Sequence, residues 1–191
     1  MKKTIFNKIL KYFLRQRSQV VVSRILPYLS KTYNIIDIGS GTGDVALLLR
    51  SRGMSITPVD VDDFHGVRLI KTTIYDGITL PFPDYSYDTA LLLMVMHHTP
   101  NPDAILTEVS RVARNIVVIE TSYTTKLNRL WTILSDAIGN LRLDAFWNSY
   151  KTDEDWRKLF KKHGYKVVDS HVFWDRNFGL PFLHISYYLK H

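Results

Sequence analysis

The chain has 191 residues, of which 46% are hydrophobic, 13% aromatic and 23% charged, with no cysteine, the size and composition of one folded domain rather than two large ones or a disordered chain. The missing cysteine excludes a disulfide framework, a thiolate metal site and a cysteine nucleophile. The net charge of +7 is local: residues 1–31 hold eight basic residues and no acid, leaving 17 basic against 18 acidic residues in the rest.

In that first stretch Ile5, Phe6, Ile9, Leu10, Phe13 and Leu14 recur at helical spacing with lysines between them, which predicts a basic amphipathic helix within an N-terminal region 1–31. The lysines interrupt any signal-peptide core. The longest apolar run, Ala90 to Met96, is far short of the ~20 residues that cross a bilayer, so the expectation is a cytoplasmic protein. Three partners suit residues 1–24: the protein's own substrate pocket, which the helix would cover; an anionic membrane surface contacted peripherally; and, least favoured, nucleic acid phosphates.

From residue 33 short apolar runs alternate with longer amphipathic ones, the pattern of helices covering a mostly parallel sheet. Strands are predicted at 34–38, 55–60, 71–75, 87–95 and 115–120, with helices at about 43–52, 62–70 and 102–113. Residues 124–139 place Leu127, Leu130, Trp131, Leu134 and Ile138 on one helical face. A further helix at 153–163 opens with Thr152 and Asp155, an approximate capping box, and closes at Gly164. Two apolar runs, 166–174 and 183–190, joined at Gly179-Leu180-Pro181, suggest a hairpin on the sheet edge.

The strongest chemical signal is IIDIGSGTGD at 35–44, a strand running into three glycines and then a helix. Such a turn brings bare backbone amides and a helix N-terminus close to a nucleotide-like ligand. Gly39, Gly41 and Gly43 read G-x-G-x-G, one residue tighter than the dinucleotide fingerprint G-x-G-x-x-G. Asp60 ends the second strand, where a carboxylate can accept ribose hydroxyls. Asp76 ends the third, although Asp76-Gly77 is also a common turn pair. His97 and His98 follow the fourth strand; two adjacent residues on a strand end point in opposite directions, which favours core or loop histidines with satisfied hydrogen bonds. No third ligand at recognisable spacing accompanies them, so no metal site is expected.

With these residues in hand the sequence resembles the class I S-adenosylmethionine-dependent methyltransferases, in particular the small-molecule branch that includes quinone- and menaquinone-biosynthesis enzymes. The resemblance rests on IIDIGSGTG at 35–43, Asp60, YDG at 75–77, LPFPD at 80–84, SYDTALLLMVMHH at 86–98 and PDAILTEVSRVAR at 102–114. It implies a doubly wound, Rossmann-like α/β fold in a single domain 1–191. A mostly parallel seven-stranded sheet with a C-terminal antiparallel hairpin would carry helices on both faces, 33–120 forming the cofactor half and 121–191 the substrate side. It implies S-adenosyl-L-methionine as cofactor, with Asp37, Gly39, Ser40 and Gly41 on its methionine part, Asp60 on the ribose, and Val61, Asp76 and Gly77 around the adenine. Met96 and His97 would lie where the donor methyl faces the acceptor. Two departures stand out: the Pro-Gly-Gly turn usual before the fifth strand is replaced by Arg114-Asn115, and VDDFHGVRL at 61–69 is atypical.

Methyl transfer from a sulfonium needs alignment more than covalent chemistry, and a histidine base suits an acidic acceptor: His97 first, His98 second, with Glu120 and Tyr123 also expected to face the pocket. The expected partner is a small-molecule or lipid acceptor. Cytosine C5 methylation needs a cysteine, and Met96-His97-His98-Thr99-Pro100 is not the Asn/Asp-Pro-Pro-aromatic motif of base-amino methylation, so nucleic acid is disfavoured. Two other readings stay open, a nicotinamide-dependent oxidoreductase and a non-catalytic S-adenosylmethionine-binding module. Acceptor atom and oligomeric state are not encoded in any pattern.

Overall fold

The computed structural model describes residues 15–62, 69–130, 132–133, 149–177 and 180–191. Helix α1 (15–25) leads through a 3₁₀ turn to β1 (Asn34–Ile38), α2 (Asp44–Ser51), β2 (Ser55–Asp60), β3 (Thr73–Ile74), β4 (Tyr87–Leu93), α3 (Pro102–Val112) and β5 (Ala113–Thr121). A helical stretch α4 (126–130), α5 (Asp153–Lys162), β6 (Lys166–Asn177) and β7 (Leu180–Lys190) follow.

The seven strands form one sheet in the order β3-β2-β1-β4-β5-β7-β6. The first five are parallel, whereas β7 runs antiparallel to both β5 and β6. Strand alternation sorts the core onto two faces. Ile36, Leu92, Ile116 and Val118 pack with Leu106 and Val109 of α3 and Trp156 and Phe160 of α5. Ile35, Leu91, Val117 and Ile119 pack on the other side with Val21, Val22 and Ile25 of α1 and Ala46 and Leu49 of α2. This is the doubly wound, mostly parallel seven-stranded sheet with a C-terminal antiparallel hairpin expected from the sequence. The apolar residues Ile5 to Leu14 and most of the expected 62–70 helix lie outside the described residues, whereas 15–25 pack on the sheet.

Several expectations need correction. The hairpin strands are longer than expected, and Leu180 and Pro181 belong to β7, paired with Asn177 and Arg176, rather than to the turn; proline is tolerated there because it sits at a strand's beginning. The hairpin itself lies at the sheet edge as expected, with β7 against β5 and β6 as the outermost strand. Of the apolar face expected on 124–139, Leu127 and Leu130 on α4 are exposed, while Thr132 and Ile133 beyond it are buried; Trp131, Leu134 and Ile138 fall outside the described residues. The missing Pro-Gly-Gly turn has a simple explanation. Helix α3 ends at Val112 and β5 begins at Ala113, whose N–H still bonds Val109 O, so no linker separates them. The capping box of α5 forms as read, Thr152 accepting from the Asp155 amide and Asp155 from the Thr152 amide.

Candidate active site

Because β1 to β5 are parallel, their carboxyl ends line one edge of the sheet, and the chain reverses its direction of strand addition between β1 and β4. In open α/β sheets ligands bind at that crevice. The glycine turn leaves β1 on one side of it, and a 3₁₀ turn, Met96–His98, leaves β4 on the other.

The glycines serve different purposes. Gly39 has φ 74° and a Cβ there would lie 2.5 Å from Cγ2 of Val95, so the two loops already touch. Gly41, at φ 55°, has nothing within 4 Å of where its Cβ would be. Its N–H donates to Oδ2 of Asp60 at 2.6 Å, while Oδ1 accepts from the Val61 and Asp62 amides at 2.7 and 3.3 Å. Asp60 is therefore buried and fixed, yet a carboxylate with about four acceptor positions has one left for a ribose hydroxyl.

Asp37 is more telling. It is buried, and its Oδ2 has no hydrogen-bond partner. Burial, then the neighbouring charge of Asp60, pushes its carboxyl up to about 7. Ser40 Oγ, one turn residue away from Gly41, is likewise buried and unpartnered. Buried polar atoms without partners are rare in folded proteins. Together with the open space over Gly41, an acid able to meet an ammonium group and an acid able to meet a ribose, these residues fit an amino-acid-bearing nucleoside. In S-adenosylmethionine both groups occur in one molecule.

Asp76 is exposed, and its Oδ1 accepts the Ile78 and Thr79 amides, both at 2.8 Å, which hold its carboxyl below the usual range. It thus builds the turn with Gly77. Val61, 57% exposed, lies across from Gly77, whose added Cβ would be 3.2 Å from Val61 Cγ1. The two form an apolar lip beside Asp76.

Across the crevice β4 stops at Leu93, two residues earlier than expected, because Met94 adopts φ 59°. The histidines consequently sit in the 3₁₀ turn and not on a strand end, and their rings lie 4.1 Å apart rather than on opposite sides. Met96 is fully buried in the core cluster with Trp156, so its side chain faces the core. His98 is exposed. His97 is 2% exposed, and its Nδ1 lies 2.5 Å from Oε2 of the fully buried Glu120. Glu120 Oε1 accepts the Val95 and Met96 amides at 3.1 and 2.7 Å. Tyr150 stands 5.0 Å from the His97 ring, and Tyr123 lies under the Arg129 guanidinium.

Sequence reasoning missed His184. This buried residue of β7 meets Thr121 Oγ1 at 3.2 Å, and burial, followed by the charges of Arg17 and His97, drives its pKa down to about 3. Only the insertion of β7 beside β5 brings it to this edge, and no local motif signals that.

A dehydrogenase sheet of this class has strand order 3-2-1-4-5-6; an antiparallel β7 inserted beside β5 does not fit the nicotinamide alternative. Known proteins agree with the fold. A ubiquinone/menaquinone biosynthesis C-methyltransferase of Rickettsia bellii is 29% identical, over 42% of this chain and 40% of that protein. The chain thus spans about two fifths of the length of the curated relatives it matches. Among solved structures, an S-adenosylmethionine-dependent methyltransferase of Methanosarcina mazei superposes with a TM-score of 0.68 at 21% identity, over 87% of this chain and 95% of the other. The magnesium protoporphyrin IX methyltransferase of Synechocystis, with S-adenosylmethionine bound, gives 0.64 at 18% identity, over 96% and 83%. The model of a family described as a methyltransferase domain matches residues 10–170, and the chain belongs to that family.

Proposed function

We propose that this chain is an S-adenosylmethionine-dependent methyltransferase that moves a methyl group to a small-molecule acceptor by direct in-line displacement. The observation that carries the reading is the buried, unpartnered oxygen of Asp37 beside the open glycine turn, one strand from a rigidly held Asp60. Asp37 in its ionised form, with Ser40, Gly39 and Gly41, holds the amino-acid end; Asp60 holds the ribose; Val61, Gly77 and Asp76 flank the adenine. S-adenosylmethionine, when bound, supplies a methyl carbon already activated by its sulfonium. The chain's own work is to align the acceptor, exclude water and accept a proton, since proximity provides much of the acceleration. His97 is the base for an acceptor with an acidic O–H or C–H, and His98, at the exposed end of the same turn, is the second candidate. A lipid acceptor delivered through residues 1–24 remains part of this proposal, supported by the basic amphipathic pattern of that segment.

Calorimetric titration with S-adenosylhomocysteine tests it. Wild type binds in the micromolar range, and Asp60→Ala weakens binding about tenfold or more, the worth of hydrogen bonds to a charged acceptor. A folded wild type that does not bind would overturn the proposal.

A further inference from the structure

Glu120 was expected only to face the pocket, and its geometry assigns it a narrower task. It is fully buried one residue before the end of β5, and both its oxygens are committed: Oε1 to the Val95 and Met96 amides, Oε2 to His97 Nδ1. Val95 also closes against Gly39. One carboxylate therefore ties together the end of β5, the histidine turn and, through Val95, the glycine turn.

We propose that Glu120 is the positioning residue for His97: it fixes the imidazole as the Nδ1–H tautomer and leaves Nε2, which no described residue engages, as the proton acceptor toward the crevice. This rests on the reading of His97 as the base. An ionised carboxylate only accepts hydrogen bonds, so Nδ1 must donate, and the ring's lone pair is at Nε2 in the neutral form. When the acceptor's X–H proton passes to that lone pair, X keeps the bonding electrons for the new bond to the methyl carbon, and the methyl–sulfur bond that breaks would leave its electron pair on sulfur as a neutral thioether. His97 becomes an imidazolium beside the Glu120 carboxylate, and the proton leaves to water afterwards. The other groups around the pair do not compete. His184 on β7 is held neutral by burial and by the charges of Arg17 and His97, and the His98 and Tyr150 rings lie tilted beside the His97 ring at 4.1 and 5.0 Å between centroids.

Glu120→Gln turns this into a measurement. The side-chain carbonyl must stay on the two backbone amides, because an amide NH₂ placed there would oppose two donors. The NH₂ then faces Nδ1, which can only accept, so the proton moves to Nε2. Imidazole ¹⁵N spectra of histidine-labelled full-length chain, with His97 assigned by its loss in His97→Gln, read the tautomer directly at the alkaline end of a titration. The expected results are Nδ1–H in wild type, Nε2–H in Glu120→Gln, and S-adenosylhomocysteine affinity of Glu120→Gln within about threefold of wild type, since the amide carbonyl keeps both backbone bonds that hold Val95 against the glycine turn. A wild type with Nε2–H, or a variant that keeps Nδ1–H, overturns the proposal. If Glu120→Gln does not fold, the wild-type tautomer alone decides. Failure of cofactor binding would instead strike the methyltransferase reading and leave the tautomer result standing.

Discussion

Gly41 and Gly39 share a left-handed backbone, yet alanine at the two positions should have opposite consequences. At φ 55° and φ 74° an added Cβ costs about 1–2 kcal/mol of backbone strain at either site. At Gly41 that is the whole penalty, because the new methyl meets nothing within 4 Å; the melting temperature should fall by about 2–8 °C for a domain of this size. At Gly39 the methyl meets both Val95 methyls, at 2.5 and 2.9 Å. Val95 cannot withdraw, its N–H being held by Glu120, so overpacking adds about 1–3 kcal/mol. Ligand affinity should sort the other way. The Gly41→Ala methyl occupies space the cofactor needs, and an overpacking penalty of about 1–3 kcal/mol corresponds to a five- to 150-fold rise in Kd. Thermal melts paired with S-adenosylhomocysteine calorimetry check both halves. A well-folded Gly41→Ala that binds like wild type would refute the placement of the cofactor over this glycine; equal melting of the two variants would refute the Val95 contact.

Asp37 and His184 impose opposite pH dependences on stability. The raised Asp37 pKa, about 7, gives stability that is complete below about pH 4 and lost as pH rises through 7; the lowered His184 pKa, about 3, gives stability present above about pH 6.5 and lost as pH falls toward 3. Each is of the order of 4 kcal/mol at full extent, so they offset one another in wild type. In urea melts Asp37→Asn should therefore lose stability on acidification between pH 7 and 4 more steeply than wild type, and a parallel pH profile would deny the Asp37 shift. Ionised Asp37 is also the form that meets an ammonium group, so S-adenosylhomocysteine should bind more tightly as pH rises from 6 to 8 in wild type and not in Asp37→Asn. Thr152→Ala removes half of the α5 capping box and should cost about 1 kcal/mol, a drop of about 2–4 °C in melting temperature; an unchanged melt would show that the box contributes nothing.

What the sequence revealed depended on how local the physics was. The bounds of β1 and β2 and the α5 cap were legible because alternation, a terminal acid and a capping box act over a few residues. The glycine turn with Asp37 and Asp60 was legible for the same reason. The end of β4 was not: Ala90 to Met96 is uninterruptedly apolar, and nothing in it announces that Met94 turns left-handed and gives its N–H to Ile119 O. Nor was the His97–Glu120 pair. Those residues are 23 positions apart, and they meet only through the parallel register that sets Leu93 opposite Ile119. On the stretch 124–139 helical periodicity gave a stripe without saying which side would be covered, and its two described members, Leu127 and Leu130, are exposed.

The insertion of β7 between β5 and β6 bears on how the molecule is assembled. Once β5 has joined β4, its outer edge, from Asn115 to Thr121, has no partner until a strand beginning at Leu180 arrives. A nascent or refolding molecule therefore carries an open apolar strand edge through the synthesis of everything between, the kind of template on which chains aggregate. Closing it requires contacts distant in sequence, which form slowly. The step that completes the sheet also delivers His184 beside Thr121. The β5–β7 side of the crevice, with His184, is thus completed after the five parallel strands that carry the glycine turn and Asp60.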